Sequence, residues 1–240
     1  MNIFIVHAHH EPHSFNGALT QMAQRVLAKE GRQVQVSDLY AMQFDPVSDR
    51  RNFTSEKNPT YLKQQTEESY ASETNGFATD IQAELDKLFW CDVLIFQFPL
   101  WWFSMPAILK GWVDRVLVMG KVYGGGHWYD QGTFAGKRAM LSLTTGGGAS
   151  IYSPTGLNGD LQQILYPINH GILRFVGFDV LPSFIAYGVS RMSDEDRASY
   201  LDDYHQRLLT LETISPIPYP ALADFDPKTF QYRKRRDRTD

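Results

Sequence analysis

Apolar and polar residues alternate along the chain in blocks that predict strands and helices in turn. Five blocks have the length and pattern of strands, namely Ile3–Val6, Gln33–Asp38, Val93–Phe98, Arg138–Thr144 and Val180–Tyr187. Apolar residues at helical spacing predict the helices Phe15–Glu30, Ile81–Trp90, Met105–Met119, Leu161–Phe175 and Asp194–Leu211. Five alternations of strand and helix indicate an α/β fold with a doubly wound, five-stranded parallel sheet and helices on both faces.

Two segments interrupt this pattern. The stretch Leu39–Asn75 is long, polar and irregular, so we expect a connection without regular structure that serves function or contacts a partner. Near the other end, three prolines within Pro216–Pro220 stop regular structure. They predict a domain over residues 1–212 and a short C-terminal extension over residues 213–240, Pro-rich and then basic.

Composition and charge restrict the class of protein. The formal net charge is -4, but residues 226–240 carry six basic against three acidic side chains, which we interpret as a solubilising tail rather than a nucleic-acid or membrane patch. No apolar run is long enough to span a membrane, and no secretory leader opens the sequence. The single cysteine, Cys91, falls beside a buried strand. These features predict a cytoplasmic protein in a reducing compartment, with no nucleic-acid partner.

The segment Phe96–Val116 carries the first indication of chemistry. A buried strand ends at Pro99, and three consecutive aromatic residues follow: Trp101, Trp102 and Phe103. Ligands of open α/β sheets bind at the carboxyl ends of the strands. Three adjacent aromatic side chains cannot all point into the core, so we expect at least one to face a flat, conjugated ligand or a partner.

Two other strand ends have complementary loops. His9–Asn16 leads into a helix, where backbone amides can bind a phosphate. Taken alone, Ser14 and Asn16 are more simply explained as helix caps, and the irregular histidine spacing gives little support to a metal site. After the fourth strand, Thr144–Gly148 offers hydroxyls and closely approaching amides. Neither nucleotide-binding glycine motif is present. Together the three loops favour a flavin.

The sequence also resembles the NAD(P)H:quinone oxidoreductases of the DT-diaphorase type, which are flavodoxin-like flavoenzymes. The matching blocks are SFN at Ser14–Asn16, SDLYAM at Ser37–Met42, FQFPL-WF-PAILKGW-RV at Phe96–Val116, TTGG at Thr144–Gly147, YS-x-x-G at Tyr152–Gly156, GD at Gly159–Asp160 and GIL-F-GF at Gly171–Phe178. The resemblance implies a homodimer that binds FAD rather than FMN. It also implies NADH or NADPH as co-substrate, and two-electron reduction of quinones and of nitro or azo aromatics.

The resemblance also assigns residues to the site. Cofactor contacts are expected from His9, Phe15, Asn16, Gln64, Pro99, Leu100, Trp101, Trp102, Phe103, Thr144, Thr145, Gly146, Gly147, Tyr152 and Arg197. Substrate contacts are expected from Trp102, Phe103, Tyr123, Gly146, Gly147 and Phe175, in a cleft shared between two subunits. Tyr152 and Asn158 are the expected catalytic residues, with Tyr152 bonding the flavin where negative charge develops.

Three departures from the family pattern change these expectations. Asn158 stands where DT-diaphorase has a histidine. A second family member that also has asparagine there prefers dihydronicotinamide riboside, so the electron donor stays open. That member binds zinc through two histidines and a cysteine, whereas here His170 has Arg174 at the second histidine position, so no metal is predicted. Glycine within Gly124–Gly126 replaces a second cleft tyrosine.

Two other functions are consistent with a flavin site. One is a flavoprotein that regulates a redox-responsive partner such as a potassium-efflux system, with Leu39–Asn75 or the basic tail as the contact. The other is a one-electron carrier like flavodoxin, against which the covered, shared cleft argues.

Overall fold

The computed structural model describes residues 1–233 and shows a six-stranded parallel sheet. Its strands are β1 (Asn2–His7), β2 (Gln33–Asp38), β3 (Val93–Pro99), β4 (Arg138–Thr144), β5 (Asp179–Val180) and β6 (Phe184–Ala186). The strand order is β2-β1-β3-β4-β5, and β6 also pairs with β4. This is a doubly wound order in which the carboxyl ends of β1, β3 and β4 are neighbours.

Six α-helices cover the sheet. They are α1 (Phe15–Lys29), α2 (Gln64–Thr74), α3 (Thr79–Trp90), α4 (Ala107–Val116), α5 (Leu161–Ile168) and α6 (Asp194–Leu209). Asn169–Arg174 continues α5 as a π-helical segment, and Pro167 lies inside the last turn of α5 rather than ending it. At the start of α6, Ser193 and Asp196 form a reciprocal capping box.

The core has two layers, one on each face of the sheet. Along β1, Ile3 and Ile5 pack with buried side chains of α1 and α6, whereas Phe4 and Val6 pack with those of α3, α4 and α5. This alternation follows from the two-residue period of a strand. The prediction of helices on both faces is confirmed.

The fifth predicted strand forms in two pieces. Val180–Tyr187 was expected to be continuous, but β5 ends at Val180 and β6 begins at Phe184. Pro182 lies between them and has no N–H to donate to a ladder. Both pieces still pair with β4, so the architecture is unchanged.

The expectation that Leu39–Asn75 lacks regular structure is wrong, because α2 lies within it. The pattern gave no helical signal because two buried positions of α2 are acidic. Glu67 accepts hydrogen bonds from the amides of Lys57 and Asn58 at 2.6 and 2.8 Å, and Glu68 accepts one from the Met119 amide at 2.8 Å. Buried carboxylates that receive backbone donors thus replace the usual apolar stripe.

The described part of the C-terminal extension packs on the sheet layer. The Ile217 amide donates to the Val180 carbonyl at 2.7 Å, and the Leu222 amide donates to Asp130 Oδ1 at 2.8 Å. The division into residues 1–212 and 213–240 stays a prediction. Most of the predicted basic cluster, residues 234–240, lies outside the described residues.

Two smaller predictions can also be assessed. Cys91 is buried as expected, and burial raises the pKa of its thiol to about 12, so it stays protonated and unreactive at neutral pH. Over residues 1–233, every helix falls short of the length and apolar character needed to cross a bilayer.

Candidate functional site

A buried hydrogen-bonded chain brings the predicted loops together at one edge of the sheet. Gln97 of β3 donates from Nε2 to Asn16 Oδ1 at 2.8 Å, and Asn16 donates from Nδ2 to Thr144 Oγ1 at 2.8 Å. The Leu100 amide also donates to the Thr144 carbonyl at 2.8 Å. The loops that follow β1, β3 and β4 therefore meet, as the doubly wound topology predicts.

The loop after β1 resolves the question of capping. Ser14 caps α1, accepting a hydrogen bond from the Gly17 amide at 3.1 Å, whereas Asn16 is buried and points to β3 and β4. Capping is thus the role of Ser14 and not of Asn16. Phe15, half-buried beside Asn16, packs against the α1–α6 layer.

His9 lies in an aromatic cluster at the same edge. Its ring stacks on His10 with centroids 4.9 Å apart and lies 6.0 Å from the ring of Trp101. Its Nδ1 accepts a hydrogen bond from the Glu11 amide at 3.0 Å, so Nε2 is the nitrogen left for a ligand. Burial, and then the neighbouring His10, lower the pKa of His9, which favours the neutral imidazole at neutral pH.

The three aromatic residues after β3 form a tight turn. Trp101 and Ser104 exchange backbone hydrogen bonds of 3.0 Å in both directions, and Trp102 and Phe103 between them have φ of 50° and 59°. These are the signs of a type I′ turn, which usually has Asn or Gly at its centre. The side chain of Trp102 is 95% exposed and that of Phe103 is 49% exposed. A strained turn thus presents two large apolar rings beside the sheet edge.

The loop after β4 leaves open space beside its backbone. Thr145 Oγ1 donates to the Gly147 carbonyl at 2.7 Å and fixes the turn. A Cβ at Gly146 would meet no atom within 4 Å, whereas one at Gly147 would come within 2.3 Å of the Ile151 side chain. A Cβ at Gly147 would therefore displace the end of the Ile151 side chain, whereas Gly146 faces open space that can hold a ligand.

The two expected catalytic residues are carried by the following loop. Tyr152 is half-buried, with its ring 6.4 Å from that of Tyr187. The Asn158 amide donates to the Ile151 carbonyl at 2.9 Å, which closes the loop behind Tyr152. Within residues 1–233, no side-chain hydrogen bond joins Tyr152 to Asn158, so the structure brings their backbones together and not their polar atoms.

Gln64, Tyr123 and Phe175 form a separate group. All three line one cavity of about 570 Å³, in which the rings of Tyr123 and Phe175 lie 5.8 Å apart. Gln64 donates to Ser48 Oγ and Glu68 Oε1 at 3.0 and 2.9 Å. Among the described residues, no hydrogen bond or ring contact joins this group to the loops at the sheet edge.

Burial changes the acid–base properties of this cavity. It raises the pKa of the Glu68 carboxyl, against the opposing effect of its bonds to Met119 and Gln64. It also raises the pKa of the Tyr123 hydroxyl, which accepts a 3.3 Å hydrogen bond from Gln65. Burial therefore disfavours the charged forms of Glu68 and Tyr123 in a cavity to which Ile172, Phe175 and Val176 contribute apolar surface.

Arg197 lies on α6 at the sheet edge and not in that cavity. Its guanidinium reaches the carbonyl oxygens of Val189 and Met192 at 3.4 and 3.5 Å, in the segment that follows β6. The family resemblance assigns Gln64 and Arg197 to the adenine side of FAD, and the structure places these two residues in different parts of one chain.

Sequence reasoning did not find a second aromatic cavity of about 470 Å³, which shares Phe175 with the first. Its other lining residues come from the loop before β4, from α5 with its π-helical continuation, and from the C-terminal extension: Trp128, Tyr129, Tyr166, His170, Pro220, Leu222, Phe225 and Phe230. The signal was present in the sequence, because the C-terminal extension contains the large apolar residues Leu222, Phe225 and Phe230.

The histidines do not gather into a metal site in the described part of the chain, where no group of three His, Cys, Asp or Glu side chains converges. His170 instead stacks on Tyr166 with ring centroids 4.7 Å apart and lies 5.1 Å from the ring of Tyr219. Burial, and then Arg174, lower its pKa. The predicted absence of a metal stays a prediction.

Comparison with known proteins identifies the family. A sequence profile of the flavodoxin-like fold matches residues 1–208. The human ribosyldihydronicotinamide dehydrogenase (quinone) is 44% identical over 220 residues, which cover 91% of this chain and 95% of the human protein. The rat NAD(P)H dehydrogenase (quinone) 1 is 44% identical over 223 residues, covering 92% of this chain and 81% of the rat protein. The chain belongs to the flavodoxin-like NAD(P)H:quinone oxidoreductase family.

A solved structure agrees with the family at the level of the whole fold. A candidate quinone reductase from Klebsiella pneumoniae superposes with a TM-score of 0.94 at 41% identity, over 97% of this chain and 94% of that one. The fold expected from the resemblance is therefore confirmed.

Proposed function

We propose that this chain is a flavin-dependent NAD(P)H:quinone oxidoreductase that transfers two electrons from a dihydronicotinamide to a quinone. The main support for the proposal is that three strand-end loops converge. They are held together by the hydrogen bonds from Gln97 through Asn16 to Thr144. Around it lie the amides of the α1 N-terminus, the open backbone at Gly146 and the exposed rings of Trp102 and Phe103.

These residues fit a flavin. The start of α1 supplies backbone donors for a phosphate, and His9 Nε2 lies at the same edge. The space beside Gly146 admits a flat ring system, with Thr145, Gly147 and the turn Leu100–Phe103 around it. A flavin bound there supplies the hydride chemistry, and the protein supplies orientation and electrostatics.

The chain's own side chains would then have distinct tasks. Trp102 and Phe103 cover the ring and keep water away from it. Tyr152 donates its hydroxyl proton in a hydrogen bond to the ring edge where negative charge develops, and the loop closed by Asn158 holds Tyr152 in place. Asn158 cannot take up a proton near neutral pH as a histidine can, so it acts by hydrogen bonding alone.

The cofactor is FAD rather than FMN in this proposal, and the enzyme is a homodimer. Gln64 and Arg197 both belong to the expected adenine side but lie in different parts of one chain. We infer that one FAD contacts Arg197 of one subunit and Gln64 of the second subunit. The same arrangement brings Tyr123 and Phe175 of one subunit to the flavin edge of the other, and so completes the substrate cleft.

The acceptors fit the chemistry of the cleft walls. Tyr123 and Phe175 line the first cavity, and aromatic side chains dominate the adjoining one, including Trp128, Tyr129 and Phe225. Aromatic walls select flat apolar rings, so quinones and nitro or azo aromatics share the site. The donor is NADH, NADPH or a smaller dihydronicotinamide, the last supported by Asn158 and by the name of the human relative.

One experiment tests the proposal directly. The protein is purified without added cofactor, its visible spectrum is recorded, and the released flavin is identified by chromatography. NADH, NADPH and dihydronicotinamide riboside are then added separately without oxygen, followed by a quinone. We expect FAD that is bleached by at least one donor and recovers with the quinone.

Other outcomes have clear consequences. A protein that takes up no flavin would overturn the site assignment. Bound flavin that none of the three donors reduces would reject the enzyme and favour the regulatory role. Released FMN would reject the FAD and adenine contacts while leaving quinone reduction in place.

A further inference from the structure

Gln97 breaks the apolar pattern of a buried strand. On the same face of β3, Val93 and Ile95 pack into the α1–α6 layer, and Gln97 is the next residue on that face. Its side chain is fully buried. Burying an amide costs free energy unless the amide is hydrogen-bonded, so the buried position of Gln97 needs a compensating interaction.

The compensating interaction leads only to Asn16. Gln97 Nε2 donates to Asn16 Oδ1 at 2.8 Å, and within residues 1–233 Gln97 Oε1 has no partner. Asn16 in turn uses its Nδ2 to donate to Thr144 Oγ1 at 2.8 Å. Both polar atoms of the Asn16 side chain are thus engaged, and the donor from Gln97 decides which way the Asn16 amide faces.

Each of the three hydrogen-bonded side chains, Gln97, Asn16 and Thr144, lies next to one loop of the site. Asn16 is the second residue of α1, directly after the loop that follows β1, Gln97 lies two residues before Pro99, and Thr144 is followed by Thr145, Gly146 and Gly147. These hydrogen bonds therefore connect the helix layer to two strands of the sheet.

We propose that Gln97 is a positioning residue for the cofactor: by orienting Asn16 it holds Thr144 and the three loops in the arrangement that binds the flavin. The inference rests on the proposed function. Gln97 itself is buried beneath the site and does not touch the ligand, so it acts through Asn16 and Thr144. Preorganisation of this kind lowers the ordering cost of binding rather than adding a contact.

The test compares flavin affinity in three variants. Gln97→Met keeps the length of the side chain and removes the amide. Gln97→Glu replaces the donor by a group that can donate to Asn16 Oδ1 only when protonated. The matched control is Ser142→Ala, because Ser142 pairs with Gln97 in the sheet and is equally buried, but takes no part in the hydrogen bonds from Gln97 through Asn16 to Thr144.

The dissociation constant of FAD is measured by quenching of flavin fluorescence at pH 5 and pH 8, with each variant referred to the unmodified protein at the same pH. His7 on β1 pairs with Gln97 in the sheet, and burial lowers the pKa of its imidazole. Gln97→Met keeps His7 and adds no carboxyl, so this variant reports the contribution of His7 to the pH dependence.

We expect Gln97→Met to weaken FAD binding about tenfold at both pH values, the usual effect of one lost hydrogen bond. Gln97→Glu should bind within about threefold of the unmodified protein at pH 5 and about tenfold more weakly at pH 8, because burial favours the protonated acid at the lower pH. Ser142→Ala should stay within about twofold throughout. A general loss of packing would not produce the pH dependence expected of Gln97→Glu alone.

The failures are distinguishable. If the unmodified protein binds FAD and both Gln97 variants bind it equally well at both pH values, the positioning role is wrong and the proposed function stands. If the unmodified protein takes up no flavin, the positioning role of Gln97 and the proposed function are both wrong. Should Gln97→Met fail to fold, the pH dependence of Gln97→Glu decides alone.

Discussion

Trp101 and Ser104 exchange both of their backbone hydrogen bonds, with N–O distances of 3.0 Å each way. The two residues between them, Trp102 and Phe103, consequently adopt left-handed φ angles that large side chains rarely take. Each such residue costs roughly 1–3 kcal/mol of stability. A protein that keeps two bulky aromatics there, exposed, must gain from them something other than folding stability.

Replacing Trp102 should therefore separate stability from binding. Trp102→Gly and Trp102→Asn relieve the left-handed strain and remove a ring that is 95% exposed, so the thermal midpoint of the apoprotein should stay the same or rise. Flavin and acceptor binding should weaken because the covering ring is lost. Scanning calorimetry and flavin titration measure the two effects. The buried Trp112 is the contrasting control, for which substitution by Ala should cost about 3–5 kcal/mol. A Trp102→Gly protein that binds flavin normally would refute the covering role.

Gly146 and Gly148 offer a matched pair for locating the ligand. A Cβ at either position would meet no atom within 4 Å, so Gly146→Ala and Gly148→Ala should both leave the stability of the apoprotein within about 0.5 kcal/mol of the original. Only Gly146 is assigned to the flavin. The methyl group introduced by Gly146→Ala should raise the dissociation constant of the flavin about tenfold, because it occupies the space of the flavin ring. Equal affinities for the two variants would place the ring elsewhere.

Tyr152 should affect the rate of flavin reduction more than flavin binding. Removing its hydroxyl in Tyr152→Phe takes away one donor to the developing charge, which we expect to slow the reductive half-reaction about 10- to 100-fold. The dissociation constant of the flavin should change by less than threefold or so, because the ring contact remains. Stopped-flow absorbance without oxygen measures the rate. Tyr187→Phe, whose ring lies 6.4 Å from that of Tyr152, is the control and should reduce normally. Equal rates for the two variants would remove Tyr152 from the mechanism.

The parts of this protein that the sequence predicts well are those that follow from periodicity. β2 and β4 have the predicted bounds, and α1 differs by one residue at its end, because alternating or helical apolar patterns decide these elements. The meeting of the three loops also follows from topology, since carboxyl ends of neighbouring parallel strands share one edge.

The misses arise from interactions between residues distant in sequence. α2 was not predicted because its buried Glu67 and Glu68 find their donors at Lys57, Asn58 and Met119, which no local pattern reveals. Gln97 was likewise passed over as part of an apolar strand, since its meaning depends on Asn16, 81 residues away. The resemblance assigned Gln64 and Arg197 to one adenine site, but only the structure separates them within a chain.

Glu68 gives the protein a specific dependence on pH. Burial raises the pKa of this carboxyl in the folded state, so the folded protein holds the proton more tightly than the unfolded chain does. The free energy of unfolding should therefore fall as the pH rises from the ordinary glutamate pKa of about 4.3 through the raised value, and then level off. Glu68→Gln does not ionise, so its destabilising effect should be greatest at acid pH and shrink across that window.

Denaturant titrations between pH 4 and pH 9 measure this difference. Ser48→Ala is the control, because it removes a hydrogen bond from the same Gln64 side chain without removing an ionisable group. The decrease in the free energy of unfolding that it causes should not vary with pH. A constant difference between Glu68→Gln and the unmodified protein over the whole range would contradict the raised pKa.

The proposed sharing of the cleft between subunits can be tested by complementation. Gly146→Trp should block the space for the flavin ring. Tyr123→Lys should disrupt the opposite wall of the cleft, which within one chain belongs to the separate group of Gln64, Tyr123 and Phe175. Each homodimer then has two defective sites and should be inactive. In a heterodimer of the two variants, one site combines both defects and the other combines both intact walls. Random re-association makes half of all dimers mixed, so about a quarter of the original quinone reductase activity should return. Mixing that restores nothing, with exchange verified by differently tagged subunits, would show that each cleft is built within one chain, and Gln64 would then have no route to the flavin.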